Sequence, residues 1–210
     1  MPRPGVPDHY RKQAQAEGFL ARSVYKLKAI DAKYHIFQPG QRVLDLGCSP
    51  GSWLQYIRPR VGPGGLVLGV DLAPPDLDIR PPLYFLQADV ESLDLEAVKT
   101  ISPYFDVVLS DMAPRTTGVR EVDHLRSLAL AQRAWELAGH LLAPGGHFLV
   151  KVFEGPETAG FHAALKPEFA LCRIVKPAGS RPESREIYLL GFQRLAGRNP
   201  GKRPRPGHQL

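Results

Sequence analysis

The sequence lacks the features that mark membrane-spanning, secreted and disulfide-stabilised proteins. No apolar run approaches the roughly 20 residues needed to cross a bilayer, and residues 1–13 are polar and interrupted by proline, unlike the core of a signal peptide. The two cysteines, Cys48 and Cys172, are too few for a disulfide framework or an all-cysteine zinc site. We therefore expect a cytoplasmic protein with free, buried thiols, no membrane partner and no metal.

Charge is unevenly distributed along the 210 residues, a length that suits one α/β domain with a buried core. Of the net charge of +6, residues 1–33 carry +4 and residues 191–210 carry +5, so the segment between them is mildly acidic at −3. Basic ends favour an anionic polymer as partner, although such tails can also serve solubility alone. We predict a single domain over 1–196 with a basic helical N-terminal extension, and a basic, disordered tail over 197–210.

Apolar runs alternate with helical patterns along most of the chain. Seven runs are typical of strands: Arg42–Leu46, Leu66–Leu72, Leu83–Ala88, Phe105–Ser110, His147–Phe153, Leu171–Val175 and Glu186–Phe192. Five segments have helical patterns: Ser23–Tyr34, Trp53–Arg60, Leu95–Ile101, His124–Leu142 and Thr158–Leu165. The first five strands are continuous apolar runs, as in a parallel sheet covered on both faces. The pattern predicts a doubly wound seven-stranded α/β sheet, whose last strand is antiparallel because no helical pattern precedes it.

A glycine-rich turn follows the first predicted strand, within Val43–Trp53. In open α/β sheets, ligands bind beyond the carboxyl ends of the strands, and we expect Gly47 and Gly51 to let the backbone approach a ligand that a Cβ would block. The turn lacks the G-x-G-x-x-G spacing of dinucleotide-binding proteins, which disfavours a nicotinamide dehydrogenase. The carboxylate of Asp45 beside the turn suits a cationic amino acid group.

Two further acids end the second and third predicted strands. Asp71 is placed to accept both hydroxyls of a ribose, and Asp89 to accept from an adenine amino group. A single aspartate at a strand end is more often a cap or a turn former. Together with Asp45, however, they follow three successive strands around one glycine turn. This pattern resembles class I methyltransferases, which have a Rossmann-like sheet and bind S-adenosylmethionine.

One lysine lies inside an apolar strand, where burial of an unpaired ammonium is costly. Lys151 either reaches the end of the sheet, to be solvated or paired for structural reasons, or it belongs to a functional site. Asp111 follows the fourth strand, and Glu186 opens the last one, where a solvated strand start would be the ordinary interpretation. Lys26 lies beside the apolar stripe of the helix predicted over Ser23–Tyr34, so it could face a cleft.

These four residues match, in order and in local context, the Lys-Asp-Lys-Glu tetrad of the FtsJ/RrmJ (RlmE) family of ribose 2′-O-methyltransferases, which the chain resembles. The matching segments are Arg22–Leu27, Asp45–Trp53, Ser110–Pro114, Lys151–Phe153 and Ser184–Tyr188. The resemblance covers about residues 8–195, and five ordered motifs are unlikely to arise by chance. Cys48 and Ser52 stand where alanine and glycine are usual, and neither change removes a functional group.

The resemblance implies S-adenosylmethionine as cofactor, with contacts at Gly51, Trp53, Asp71, Asp89 and Asp111. It also implies a catalytic tetrad of Lys26, Asp111, Lys151 and Glu186. If Lys151 is neutral, it can take the proton of a ribose 2′-hydroxyl or stabilise the developing alkoxide. The charge of Lys26 favours that neutral form and the two carboxylates oppose it, so the sequence leaves the general base open.

The implied substrate is RNA, most of all a uridine of large-subunit (23S) ribosomal RNA in an assembled or nearly assembled subunit. Relatives that act on the tRNA anticodon loop make tRNA the first alternative. A non-catalytic ribosome assembly factor is the second, and the complete tetrad and cofactor turn argue against it. No apolar surface stripe is left over in the pattern, which favours a monomer.

Overall fold

The computed structural model describes residues 9–177 and 184–197, which form one mixed sheet with helices on both faces. Its strands are β1 (Arg42–Leu46), β2 (Leu66–Asp71), β3 (Leu83–Gln87), β4 (Phe105–Ser110), β5 (Leu142–Phe153), β6 (Phe169–Val175) and β7 (Glu186–Arg194). Its α-helices are α1 (His9–Ala16), α2 (Val24–Tyr34), α3 (Ser52–Val61), α4 (Leu95–Ile101), α5 (Arg120–Leu141) and α6 (Thr158–Leu165).

The strand order is β3-β2-β1-β4-β5-β7-β6. Strands β1 to β5 are parallel, and β7 is antiparallel to both of its neighbours. The predicted doubly wound sheet of seven strands with an antiparallel last strand is therefore confirmed. The chain leaves β1 toward one edge of the sheet and returns to β4 on its other side. Ligands bind at such a switch point, beyond the carboxyl ends of the strands.

Apolar side chains cover both faces of the sheet. Leu44 and Leu46 of β1 belong to the cluster formed with α4, α5 and α6, whereas Val43 belongs to the cluster formed with α2 and α3. This alternation follows from the pleat, which points successive side chains to opposite faces. The two helix layers hold the carboxyl ends of β1, β4 and β5 in fixed positions.

The predicted element boundaries differ from the structure mainly around α5 and β5. Helix α5 begins four residues before the predicted start at His124, because Asp123 accepts from the backbone N–H groups of Thr117 and Gly118 and fixes the turn ahead of it. Strand β5 begins at Leu142 rather than at His147. The intervening Pro-Gly-Gly segment remains in the strand through an irregularity in its pairing with β4.

The N-terminal extension includes α1, for which the sequence suggested a helix without giving bounds. Cys48 and Cys172 are free thiols, the first buried and the second half-buried. In the ranges that the structure describes, no helix is both long enough and apolar enough to cross a bilayer. The tail predicted over 197–210 falls, from residue 198 onward, outside the described residues.

Candidate active site

A cavity of about 680 Å³ lies at the carboxyl ends of the parallel strands. Four residues that the sequence predicts as site residues line it: Gly47, Asp71, Asp89 and Asp111. Each follows or ends a different strand, so the parallel arrangement of β1 to β4 brings them to one edge of the sheet. The volume is within the usual range for small-molecule sites, roughly 300–1,000 Å³.

Two of these acids also make local hydrogen bonds. Asp71 accepts from the backbone N–H of Ser49 at 2.9 Å and from that of Ala73 at 3.1 Å. Asp89 accepts from the N–H of Glu91 at 2.9 Å, at the start of a short 3₁₀ helix. Both aspartates therefore cap or stabilise a local turn, as aspartates at strand ends often do. The same bonds hold each carboxylate at the cavity wall.

The glycines of the turn serve packing and backbone conformation. Gly47 and Gly51 have positive φ angles of 79° and 113°, a region that residues with a Cβ rarely adopt. A Cβ on Gly47 would lie 2.4 Å from Met112 Cγ, and one on Gly51 would lie 2.7 Å from Leu77 Cδ1. The missing Cβ atoms therefore make room for side chains of the protein, and the approach of a ligand to the backbone at these glycines stays a prediction.

Asp45 is buried, with only 1% of the residue exposed, and is not part of the cavity lining. Neither of its carboxyl oxygens has a hydrogen-bond partner among the described residues. Burial, and then the negative charges of Asp111 and Asp71, raise the pKa of Asp45 well above its ordinary value. A buried polar group without a partner is rare in native proteins, which makes these two oxygens candidates for contact with a ligand.

Gly51 and Trp53 also lie outside the cavity lining, at the start of α3. The indole N–H of Trp53 donates to the carbonyl of Ser23 at 3.1 Å, and the hydroxyls of Ser52 and Ser23 are 3.1 Å apart. Ser23 directly precedes α2, which carries Lys26 in its first turn. The residues after the glycine turn therefore hold the segment that positions Lys26.

The four tetrad residues meet beside this cavity. Lys26 Nζ donates to Glu186 Oε2 at 2.7 Å. Lys151 Nζ donates to the backbone carbonyl of Asp111 at 2.5 Å, and it lies 3.1 Å from Asp111 Oδ1 and 3.9 Å from Glu186 Oε1. The sequence prediction that these residues form one constellation is thus consistent with the geometry, in which lysines and carboxyl groups alternate along the tetrad.

Both lysines are buried, whereas the carboxylates are more exposed. The side chains of Lys26 and Lys151 are 6% and 4% exposed, against 16% for Asp111 and 23% for Glu186. Lys151 is therefore not solvated at the end of the sheet, which removes one ordinary interpretation of its position. Although burial raises the pKa of Glu186, the hydrogen bond from Lys26 and the charges of both lysines lower it, and the net shift is downward.

Sequence reasoning missed the individual role of Tyr188, which is fully buried on β7. Its hydroxyl donates to Asp111 Oδ1 at 2.6 Å. Burial, followed by the charge of Asp111, raises the pKa of Tyr188 well above its ordinary value, so the hydroxyl keeps its proton and remains a donor. The available signal was its position two residues after Glu186, which places both side chains on one face of the strand.

Metal ligation finds no support in the part of the chain that the structure describes. Across residues 9–177 and 184–197, no group of three or more histidine, cysteine, aspartate or glutamate side chains is arranged to hold a metal ion. The cations that line the larger cavity are instead the side chains of Arg115 and Arg126.

Known proteins share both the sequence and the fold of this chain. The FtsJ-like methyltransferase family model matches residues 19–194. A ribosomal RNA large subunit methyltransferase E from Desulfatibacillum aliphaticivorans is 46% identical over 190 residues, 90% of this chain and 92% of the relative. The protein of the same name from Syntrophobacter fumaroxidans is 47% identical over 191 residues, 90% of this chain and 96% of the relative.

Among solved structures, the crystal structure of a ribosomal RNA methyltransferase from Plasmodium falciparum superimposes with a TM-score of 0.73 at 30% identity. The match covers 84% of this chain and 99% of that one. The family model spans every strand of the sheet and all four tetrad residues. The chain belongs to the FtsJ-like methyltransferase family.

Proposed function

We propose that this protein transfers a methyl group from S-adenosylmethionine to a ribose 2′-hydroxyl of RNA, and that its substrate is a uridine of 23S ribosomal RNA in the large subunit. The observation that carries the proposal is the buried lysine–carboxylate tetrad at the edge of a cavity of cofactor size. The names of the relatives, which act on large-subunit ribosomal RNA, favour this substrate. We expect the protein to act as a monomer in the cytoplasm.

The residues around the larger cavity fit S-adenosylmethionine. Asp71 and Asp89 present carboxylates to the cavity at two strand ends, where they suit the ribose hydroxyls and the adenine amino group. The unpartnered oxygens of Asp45 suit the amino group of the methionine part. Gly51 and Trp53 lie at the start of α3, whose free N–H groups suit a carboxylate.

When bound, S-adenosylmethionine supplies an electrophilic methyl group on a sulfonium. The backbone carbonyl and side chain of Asp111 hold the Lys151 amine in place, and in its neutral form this amine has a lone pair that can receive the proton of an incoming 2′-hydroxyl. Asp45, Asp71 and Asp89 would hold this cofactor, and the deprotonated 2′-oxygen beside Lys151 would be the nucleophile toward the methyl group that it supplies. Much of the acceleration comes from this fixed alignment of the reacting groups.

Lys26 and Tyr188 hold the two carboxylates of the tetrad. The Lys26 ammonium binds Glu186 from one side, and the Tyr188 hydroxyl binds Asp111 from the other. These contacts leave Lys151 between two carboxylates whose positions are fixed before the substrate arrives. Such preorganisation avoids reorganisation of the site during the reaction.

The first test measures methyl transfer from radiolabelled S-adenosylmethionine to large ribosomal subunits, with bulk tRNA in a parallel reaction. The subunits come from cells that lack this methylation. We expect label in ribosomal RNA that survives alkaline hydrolysis as a 2′-O-methylated dinucleotide. Label in tRNA alone would move the substrate to the anticodon loop, and cofactor binding without any label would favour the non-catalytic assembly factor.

A further inference from the structure

The two carboxylates of the tetrad line two cavities of different size. The larger one, described above, includes Asp111 in its wall, whereas a second cavity of about 270 Å³ includes Glu186. Lys151 Nζ lies within 3.1 Å of the first carboxylate and 3.9 Å of the second. The Lys151 amine therefore lies between two carboxylates, one of which belongs to the wall of each cavity.

The second cavity is formed where the start of α5, the end of β5 and the start of β7 come together. Its wall consists of Asp123, Phe153, Ser184, Arg185 and Glu186. The Asp123 carboxylate is satisfied within the protein by the N–H and hydroxyl of Thr117 and by the N–H of Gly118. The hydrogen bond from the Thr117 backbone is the main reason that the pKa of Asp123 is lowered.

Arg185 supplies the cation of this cavity. Its Nη1 and Nη2 atoms donate to the carbonyl of Arg120 at 3.1 Å and 3.2 Å, and Nη2 also donates to the carbonyl of Glu154 at 3.1 Å. A guanidinium has five N–H donors in a fixed plane, so these three bonds fix its orientation and leave two donors over. Among the described residues its hydrogen-bond acceptors are neutral carbonyls, and the carboxylates of Asp123 and Glu186 in the same cavity wall are bonded to other partners.

An oriented guanidinium with a spare donor is suited to a charge-assisted hydrogen bond to a phosphate oxygen. We propose that the second cavity receives the acceptor nucleoside of the RNA, and that Arg185 contacts a phosphate next to it. This inference rests on the proposed RNA methylation and adds the side from which the substrate enters. The methyl donor then occupies the cavity at Asp111, and the 2′-hydroxyl reaches Lys151 past Glu186.

The test compares Arg185→Ala and Arg185→Lys with wild type and with a matched control, Arg173→Ala. Arg173 is an exposed arginine on β6, the edge strand of the sheet. Methyl transfer to large subunits lacking the modification is measured over a series of salt concentrations, together with cofactor affinity by calorimetry. We expect Arg185→Ala to raise KM for the subunits about tenfold and to reduce the slope of log KM against log salt by about one.

In the same variant, kcat and cofactor affinity should stay within about twofold of wild type. Arg185→Lys should recover most of the salt slope because it keeps the charge, and Arg173→Ala should behave as wild type. If Arg185 only ties α5 to β5, the alanine variant will lose thermal stability and kcat while KM and the salt slope stay unchanged, which would overturn the proposal. A wild-type protein that labels no RNA would overturn the proposed function itself.

Discussion

Removal of the Lys26 ammonium should destabilise the protein through the carboxylate that it leaves behind. In Lys26→Met, the side chain keeps much of its volume, but Glu186 Oε2 loses its partner at 2.7 Å and retains the Ser184 hydroxyl. Removal of one member of a fully buried pair costs about 3–5 kcal/mol. Because Glu186 is 23% exposed, water replaces part of the interaction, and we expect about 2 kcal/mol.

That loss corresponds to a fall in melting temperature of about 4–8 °C for a domain of this size. The double variant Lys26→Met/Glu186→Gln should recover part of it, since the uncompensated charge is removed. Differential scanning calorimetry of the wild type, both single variants and the double variant measures the coupling between the two residues. Melting temperatures that fall additively would refute the claim that the two residues interact.

The pair of Lys26 and Glu186 should also make the stability of the fold depend on pH. The pKa of Glu186 in the folded protein lies below its ordinary value of 4.5. The pair therefore stabilises the fold above pH 4.5, and this contribution is lost as the pH falls through the lowered pKa. The stability difference between the wild type and Lys26→Met should accordingly shrink in acid, and a difference that grows there would contradict the assignment.

Three further outcomes are expected. Asp71→Asn should weaken cofactor binding at least about tenfold by calorimetry, and an unchanged affinity would remove Asp71 from the cofactor site. Gly47→Ala should lower the free energy of unfolding in urea by about 2–4 kcal/mol, because the new Cβ meets Met112. The control Gly40→Ala, also at positive φ but in open space, should lower it by only about 1 kcal/mol. Equal losses in the two variants would contradict the packing argument. Tyr188→Phe should lower kcat about tenfold without changing cofactor affinity, and an unchanged kcat would show that Asp111 needs no orienting hydroxyl.

The interior of the fold could be predicted from the sequence because its strands are continuous apolar runs. The ends of the elements were harder to predict, since tertiary contacts rather than local composition determine them. The Pro-Gly-Gly segment near the start of β5 has the composition of a turn, yet Leu142 and His147 on either side of it pair with β4. Around the start of α5, the apolar residues Val119, Val122 and Leu125 are exposed, which obscures the helical pattern.

The sequence predicted which residues form the tetrad, but not the contacts that hold them in place. The resemblance to a known tetrad gave the two lysines and two carboxylates, but it did not show which pairs form. Tyr188 looks like an ordinary core residue of an apolar strand, and only the structure shows its hydroxyl on Asp111. Likewise, the packing of Met112 against Gly47 joins residues far apart in the chain, so the spacing of the glycines could not predict it.

The central claim, that Lys151 performs the proton transfer, is tested most directly by single-turnover methyl transfer in Lys151→Ala with saturating large subunits. Lys99→Ala, at an exposed lysine paired with Glu96, serves as the control. General acid–base catalysis contributes about 10²–10⁴-fold, so the rate should fall by at least about 10²-fold while cofactor affinity and the control variant stay near wild type. A Lys151→Ala protein that transfers the methyl group at a near-normal rate would contradict the account.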